Sequence, residues 1–334
     1  MTNKAKDRIT PLLLIPPIEY DFEEKRLKKT VQKHIEPFGG RYKAKWGKRK
    51  SLIDIHSSLE AEKMDDGVHV MQHIFTELRS NESNAIPVVG LSRSMDLKEN
   101  IKDIISIDKK GLCLRVRLVE LMTPGFKDDV RNLCAHMEVE LSSIDLILDL
   151  EEPENFEPYS IFAKVILNAI KNIENLDGYR SFIVAGMSLK LSEIKKPGQE
   201  LARHEWQLYK LLISESDGLR RPSYGDYSIE TPKFLNLDMR MLKPAGKIVY
   251  TCDDTWLIPK GVSFRGNENQ MVGHCEKIVN SGKYSGSYFS HGDKRIDATL
   301  SGSAGCGNLS TWKQVGVNHH LEKVVDQLSS FHAP

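Results

Sequence analysis

Neither sign of charge is in excess in this sequence of 334 residues: 47 Lys and Arg stand against 46 Asp and Glu, a formal charge of +1. The chain as a whole therefore exerts no general attraction on nucleic acid or anionic lipid, and such binding has to come from a local patch. Cysteine is also sparse. The five residues, at 113, 134, 252, 275 and 306, are odd in number and include no Cys-x-x-Cys pair, which argues against a disulfide frame or a zinc site and predicts reduced, structural thiols. No window approaches the roughly 18 uninterrupted apolar residues of a membrane span. Met1 to Thr10 lacks the apolar core of a signal peptide, so the expectation is a cytoplasmic protein with no membrane partner. Repeats of roughly 20 to 50 residues are absent. So are the Gly-x-Ser-x-Gly elbow of a serine nucleophile and the standard histidine signatures. The glycine-dense run Ser301 to Gly307 follows no predicted strand and opens no helix, so it reads as a lid or partner-contact loop and not as a phosphate cradle. At 40% hydrophobic residues the chain can bury a substantial core, which excludes disorder.

What is present is an alternation of short apolar runs with amphipathic stretches. The runs are 11–18, 51–55, 86–91, 112–118, 144–150, 181–186, 222–228 and 247–252. Lengths of roughly 5 to 8 residues and β-branched content suit buried parallel strands. Helical patterns cover 23–35, 60–78, 96–105, 127–140, 159–173, 200–213, 269–279 and 319–328. Eight strands with interleaved helices predict an α/β fold of the (β/α)8 TIM-barrel-like kind, a single domain over 1–334 with an irregular, loop-rich insertion at about 229–311. The alternative is an open doubly wound sheet with a small C-terminal domain.

In a barrel, alternate residues of each strand point inward. Leu112, Leu114, Val116 and Leu118 then meet the helices, leaving Cys113, Arg115 and Arg117 inside; Asp145, Ile147, Asp149 and Glu151 face them from the next strand. Asp54 and His56 are inward on strand two, and strand one ends in Glu19. A buried guanidinium needs a partner, so Arg115 or Arg117 is expected to pair with Asp149 or Glu151. These groups gather at the strands' C-terminal ends, where barrel enzymes keep their chemistry.

Glu19, Asp54, Asp149 and Asp293, with Asp226 as a further strand-end candidate, offer the converging oxygens a divalent cation requires. Such a metal would activate water against a phosphodiester, with His320 or His319 as base and Arg115 and Arg117 clamping phosphate. The plainer account is that Asp149 neutralises an arginine, Asp54 caps a loop, and Asp226 and Asp293, each following glycine, hold turns. Asn318 is expected to cap a final helix opened by His319 and His320, at most one of which looks inward because neighbours on a helix point about 100° apart. His291, in Ser-His-Gly-Asp, completes a histidine set whose simpler role is to organise loops against Trp312.

The segment 41–50 concentrates Arg41, Lys43, Lys45, Lys48, Arg49 and Lys50 with no acid, and Tyr42 and Trp46 lie among them. Interleaved cations and rings suit single-stranded nucleic acid. Equally, a solvated loop whose Trp46 plugs the barrel base has this composition. As the loop that leads into strand two, it belongs to the N-terminal face, making it a docking patch and not a catalytic one. Six acids and no base occupy 145–157, so the two faces are expected to differ in sign.

Four strings in the last third are distinctive: Pro222-Ser-Tyr-Gly-Asp-Tyr-Ser228, Ile248-Val-Tyr250-Thr-Cys-Asp-Asp-Thr-Trp256, Tyr284-Ser-Gly-Ser-Tyr-Phe-Ser-His-Gly-Asp293 and Trp312-Lys-Gln-Val-Gly-Val-Asn-His-His320. In this order and spacing, with Pro17-Ile18-Glu19 and the Asp149 strand, the chain resembles the Beta protein family of satellite phages and prophages. It departs from the family pattern at Lys313, where Arg is commoner, and in Asp253-Asp254. The resemblance implies a component of an antiphage-immunity cassette that binds a host-killing partner protein and restrains or cooperates with it. It implies no established chemistry; the cofactor the residues leave open is a divalent metal. Two function classes follow: a protein-binding cassette component, or a metal-dependent phosphodiesterase or nuclease.

Overall fold

The computed structural model describes residues 1–234, 238 and 242–331. Seven parallel strands form one sheet in strict chain order: β1 (Leu12–Ile15), β2 (Ser51–Ile55), β3 (Ala85–Val89), β4 (Leu112–Arg117), β5 (Ile144–Asp149), β6 (Ser181–Ala185) and β8 (Ser223–Gly225). Every residue of β2, β3 and β5 is buried, because both faces of the sheet are covered. Ile53, Ile55, Leu114, Val116, Leu146 and Leu148 pack with the helix layer. On the other face Leu52, Ile86, Val88, Cys113 and Ile147 make a separate inner core with Leu12, Ile183 and Ala185. This is the alternation that the sequence predicts for strands two, four and five.

The outer layer is α1 (Pro37–Lys45), α2 (Val70–Ser80), α3 (Met95–Asp108), α4 (Phe126–Met137), α5 (Tyr159–Ile170) and α6 (His204–Glu215). Ser94 caps α3 by accepting from the Leu97 N–H. Gly111, at φ +70°, leads into β4 where a Cβ would fall 1.9 Å from the Ser143 carbonyl oxygen, so only glycine allows that approach. The helix predicted at 23–35 is reduced to Val31–Ile35. A hairpin of Tyr20–Asp21 and Arg26–Leu27 replaces its start, because the Asp21 carboxylate accepts from the Glu23 and Glu24 N–H groups and Lys25 takes φ +49°.

The sheet is curled. From β2 to β8 is five strand steps, roughly 24 Å in a flat sheet at about 4.8 Å per step. Yet one guanidinium, that of Arg115 on β4, contacts both Asp54 of β2 and Tyr227 just beyond β8. The result is a half-barrel of parallel strands flanked by helices.

The expected eighth strand, 247–252, does not join this sheet. It divides into β9 (Ala245–Lys247) and β10 (Tyr250–Thr251), both antiparallel to β11 (Thr255–Ser263), which also pairs with β7 (Gly198–Ala202). Locally, Cys252 N–H donates to the Thr255 carbonyl at 2.8 Å, a tight reversal that folds this run back on β11 as an antiparallel hairpin. The stretch 229–311, expected to be loop-rich, holds these strands with α7 (Gln270–Val279) and α8 (His291–Leu300) around a second core that includes Tyr250, Met271, Cys275, Ile296 and Trp312; residues 235–237 and 239–241 of that stretch lie outside the described residues.

The last helix, α9 (Leu309–Phe331), runs between the two ends of the curled sheet. On one side Thr2 Oγ1 donates to Glu322 at 3.1 Å and Arg8 to Ser329 at 2.5 Å, holding the segment before β1. On the other, Leu328 and Phe331 join Trp206, Tyr209 and Tyr224 of α6 and β8. Among the described residues, no helix is long and apolar enough to cross a membrane.

Candidate functional site

The C-terminal mouth of the half-barrel is where Asp54, Arg115 and Asp149 converge. Asp54 Oδ1 accepts from the Ile55 N–H at 2.8 Å and from Arg93, and Oδ2 lies 3.3 Å from Arg115 Nη1. Arg115 Nε donates to Asp149 Oδ2 at 2.7 Å and its Nη2 to the Tyr227 hydroxyl at 2.7 Å; that hydroxyl donates onward to Asp149 Oδ2 at 2.6 Å. Arg93, in the loop after β3, spans the rim by donating to the Ile55 carbonyl at 2.7 Å and to Glu60 at 2.5 Å, and Glu60 accepts from the Ser94 N–H at 2.9 Å.

The electrostatics follow from this closure. Burial raises the Asp54 carboxyl above its ordinary range, although Arg93 and Arg115 pull the other way. For Arg115, burial opposes the charge, but Asp149, Tyr227 and Asp54 outweigh it and hold the guanidinium pKa up. Burial, helped by Asp149, raises the Tyr227 phenol. Solvent reaches the arginines, 22% exposed at Arg115 and 17% at Arg93, but scarcely the acids, 5% at Asp54 and 1% at Asp149. Two cations and their anions thus satisfy one another and clasp β2, β4, β5 and the chain beyond β8.

The four proposed metal ligands occupy three separate places. Glu19 is on the exposed hairpin, 2.8 Å from Lys28; Asp54 and Asp149 are bridged by Arg115; Asp293 lies in the second core. Among the described residues no three His, Cys, Asp or Glu side chains are grouped as a cation would need. Arg117, expected inside, reaches the rim at 46% exposure and pairs with Glu120 at 3.3 Å, capping a short helix (Leu118–Leu121).

His319 and His320 stand inside α9 and not at its start, since that helix begins ten residues earlier, and Asn318, expected to be its cap, instead accepts from the Gly292 N–H at 2.7 Å. Both are fully buried, against the expectation of one, because α9 is covered on two faces. His319 Nε2 donates to the Thr251 carbonyl and Nδ1 meets Asp293 Oδ2, each at 2.8 Å, while Tyr250 stacks on the ring at 3.8 Å and donates to Asp293 at 2.8 Å. His320 Nε2 meets Asp226 at 2.9 Å and Nδ1 meets the Thr251 hydroxyl at 3.0 Å, with Trp256 stacked at 5.1 Å. Burial pushes His320 below the ordinary imidazole range, and these partners suit a neutral ring. His291 is exposed as the first residue of α8, whose N-cap Ser290 accepts from the Asp293 N–H at 3.0 Å. Trp312 is buried, its indole donating to the Cys306 carbonyl at 2.8 Å.

The basic segment is half helix. Arg41, Lys43 and Lys45 are exposed on α1, but Tyr42 and Trp46 are buried, Trp46 donating to the Lys50 carbonyl at 3.1 Å. Lys48 pairs with Glu82, Arg49 with Asp7 at 2.5 Å, and Lys50 with buried Asp145 at 2.9 Å at the N-terminal end of the inner face. Three of the six cations are thus engaged in ion pairs and three are exposed, while neither ring is exposed for bases to stack on.

Three residues of the mouth were not singled out from sequence: Arg93, Glu60 and Tyr227. Tyr227 sits in the distinctive Pro222–Ser228 string, but strand alternation says nothing of loops, which is where all three lie.

The geometry defines an α/β protein whose curled parallel sheet ends in an ion-paired mouth. The Beta protein family model matches residues 1–326, and the chain belongs to that family. No curated protein matches the sequence.

Proposed function

We propose that this member of the Beta protein family is a cytoplasmic, non-enzymatic component of a phage- or prophage-encoded immunity cassette that binds and restrains a host-killing protein, and that its fold is a (β/α)8-barrel variant in which α9 stands where an eighth strand would close the ring. One observation carries the binding reading. Met95, Val119 and Met122 are 57%, 64% and 58% exposed; Met95 lines a cleft of about 510 Å³ at the ends of β3 and β4 together with Leu91, Glu120, Thr123, Leu133 and His136, and Val119 and Met122 are the chain neighbours of Glu120 and Thr123. Large exposed apolar side chains gathered beside a concave, mixed surface mark protein interaction sites. Lys98 and Asp129 both line the cleft, which suits a partner segment that is apolar with flanking charges of both signs. The hydrolytic alternative requires Asp54 and Asp149 to leave Arg115 before they can hold a metal, which disfavours it.

The test is co-purification with the product of each flanking gene. Wild-type protein is expected to capture one of them, and Met95→Asp, Val119→Asp, Met122→Asp combined to abolish capture with an unchanged melting temperature. Capture unaffected by the triple change, or none by the wild type, defeats the reading. Metal-dependent phosphodiester cleavage lost in Asp149→Asn would establish the hydrolase instead.

A further inference from the structure

We propose that the outer face of α1 is a docking site for the phosphate backbone of a nucleic-acid duplex, contacted without regard to sequence through Lys6, Arg41, Lys43 and Lys45. The helix is anchored from within. Tyr42 and Trp46 are buried, the Tyr42 hydroxyl lies 2.8 Å from Ser51 Oγ, and the Trp46 indole donates to the Lys50 carbonyl at 3.1 Å. At about 100° per residue, this turns exposed Gly40 and Ala44 outward as the crest, with Lys43 on one flank and Arg41 and Lys45 on the other. Lys6, from the short helix Asn3–Lys6, joins them at the end of α1: its ammonium donates to the Lys45 carbonyl at 3.1 Å and keeps further N–H donors.

Two properties separate this face from an ordinary solvated helix. Among the described residues, none of the four cations is ion-paired with a carboxylate: at the edge of the face Asp7 is taken by Arg49 and Glu82 by Lys48, and Glu77 of α2 lies against Gly39 on the covered side. The crest is also low. A Cβ on Gly40 would meet nothing within 4 Å, and Ala44 adds a single methyl, so a rigid backbone can approach the helix while cations close on it from both flanks.

The chemistry of the partner follows from what the face lacks. No ring is exposed for bases to stack on, which removes the usual anchor of single-stranded nucleic acid. Nor is any large apolar side chain exposed there, which removes the anchors on which protein interfaces depend. Phosphate contact needs cations alone. Because α1 leads into the start of β2, the face belongs to the end of the half-barrel opposite the mouth, separate from the cleft proposed for the killer protein.

The experiment is fluorescence anisotropy of a labelled DNA duplex of mixed sequence, titrated with the full chain over a range of salt. Each phosphate contact contributes about −0.9 to the slope of log affinity against log salt, so four contacts predict a slope of about −3.6 and a roughly 150-fold loss of affinity between 50 and 200 mM salt. Arg41→Gln combined with Lys45→Gln should make the slope shallower by about two, with an unchanged melting temperature because neither side chain holds a partner. Lys164→Gln combined with Lys171→Gln removes the same charge from exposed positions on and just after α5, and should leave the slope at its wild-type value. No binding by the wild type, or equal losses in the two double variants, overturns the proposal. So does displacement of the duplex by polyglutamate at equal charge, which would make the face a seat for an acidic protein, or tighter binding of a single strand of the same length.

Discussion

The Tyr227 hydroxyl receives a hydrogen bond from Arg115 at 2.7 Å and gives one to Asp149 at 2.6 Å, so a residue beyond the last parallel strand completes an ion pair made on the two central ones. The phenol also makes Asp149 accept from two sides, which is why the charge stays paired at 1% exposure.

Removing the cation of this clasp should cost more than removing the phenol. Arg115→Ala leaves Asp54 and Asp149 buried and facing one another, and loss of one partner of a buried pair costs about 3–5 kcal/mol. Arg115→Met with Asp149→Leu should recover much of that loss, because no uncompensated charge remains. Urea unfolding of the single and double variants measures the difference.

Tyr227→Phe removes a donor to Asp149 and an acceptor from Arg115 while keeping the ring. The expected loss is about 1–3 kcal/mol, the range for leaving buried polar groups unsatisfied. A loss under about 0.5 kcal/mol by chemical denaturation would show that the two partners close on each other directly.

Acid should loosen the seat of α9 before it touches the half-barrel. Burial holds the folded-state pKa of His320 below its unfolded value of about 6.5. As pH falls, the unfolded chain takes up that proton first, so the contribution is complete above about 6.5 and declines as pH drops through the folded value. His320→Gln should flatten stability between roughly pH 5 and 7 relative to wild type, read from unfolding midpoints across that window.

The two glycines where α8 and α9 meet their neighbours should not tolerate alanine. A Cβ on Gly292 would fall 2.5 Å from the Val315 carbonyl oxygen, and one on Gly316 would fall 2.8 Å from Ile229 Cδ1 and 2.9 Å from the Val249 carbonyl oxygen. Overpacking of this kind costs about 1–3 kcal/mol. Gly273→Ala on α7, which meets nothing within 4 Å, is the control and should be neutral or mildly stabilising in thermal melts.

Six of the seven parallel strands were legible as short apolar runs, and in the central ones inward and outward residues are distinguished by chemistry, as at Arg115 and Asp149 against Leu114 and Leu148; Ser223–Gly225 is not apolar and follows only from its place in the alternation. The eighth run was misplaced for a reason that periodicity does not express. Lys247–Cys252 looks like a buried strand, but the turn at Asp253-Asp254 sends the chain back on itself, so Tyr250 pairs antiparallel with Leu257. The start of α9 was missed because Gly316 and β-branched Val315 and Val317 weaken the helical pattern; tertiary contacts with β10 and α8 override that. Of the candidate site, the Arg115–Asp149 pair follows from burying charge. Its arginine and tyrosine companions come from loops whose path only the folded chain sets.

The bonds from Thr2 to Glu322 and from Arg8 to Ser329 join positions about 320 residues apart. Contacts of such sequence separation are the slowest to form. On the ribosome, the seven parallel strands emerge well before the helix that spans their two edges, and β1 and β8 remain open to other strands until α9 is made. Expression of this protein should therefore be limited by aggregation during synthesis, and slower translation of residues 226–308 should lengthen that exposure.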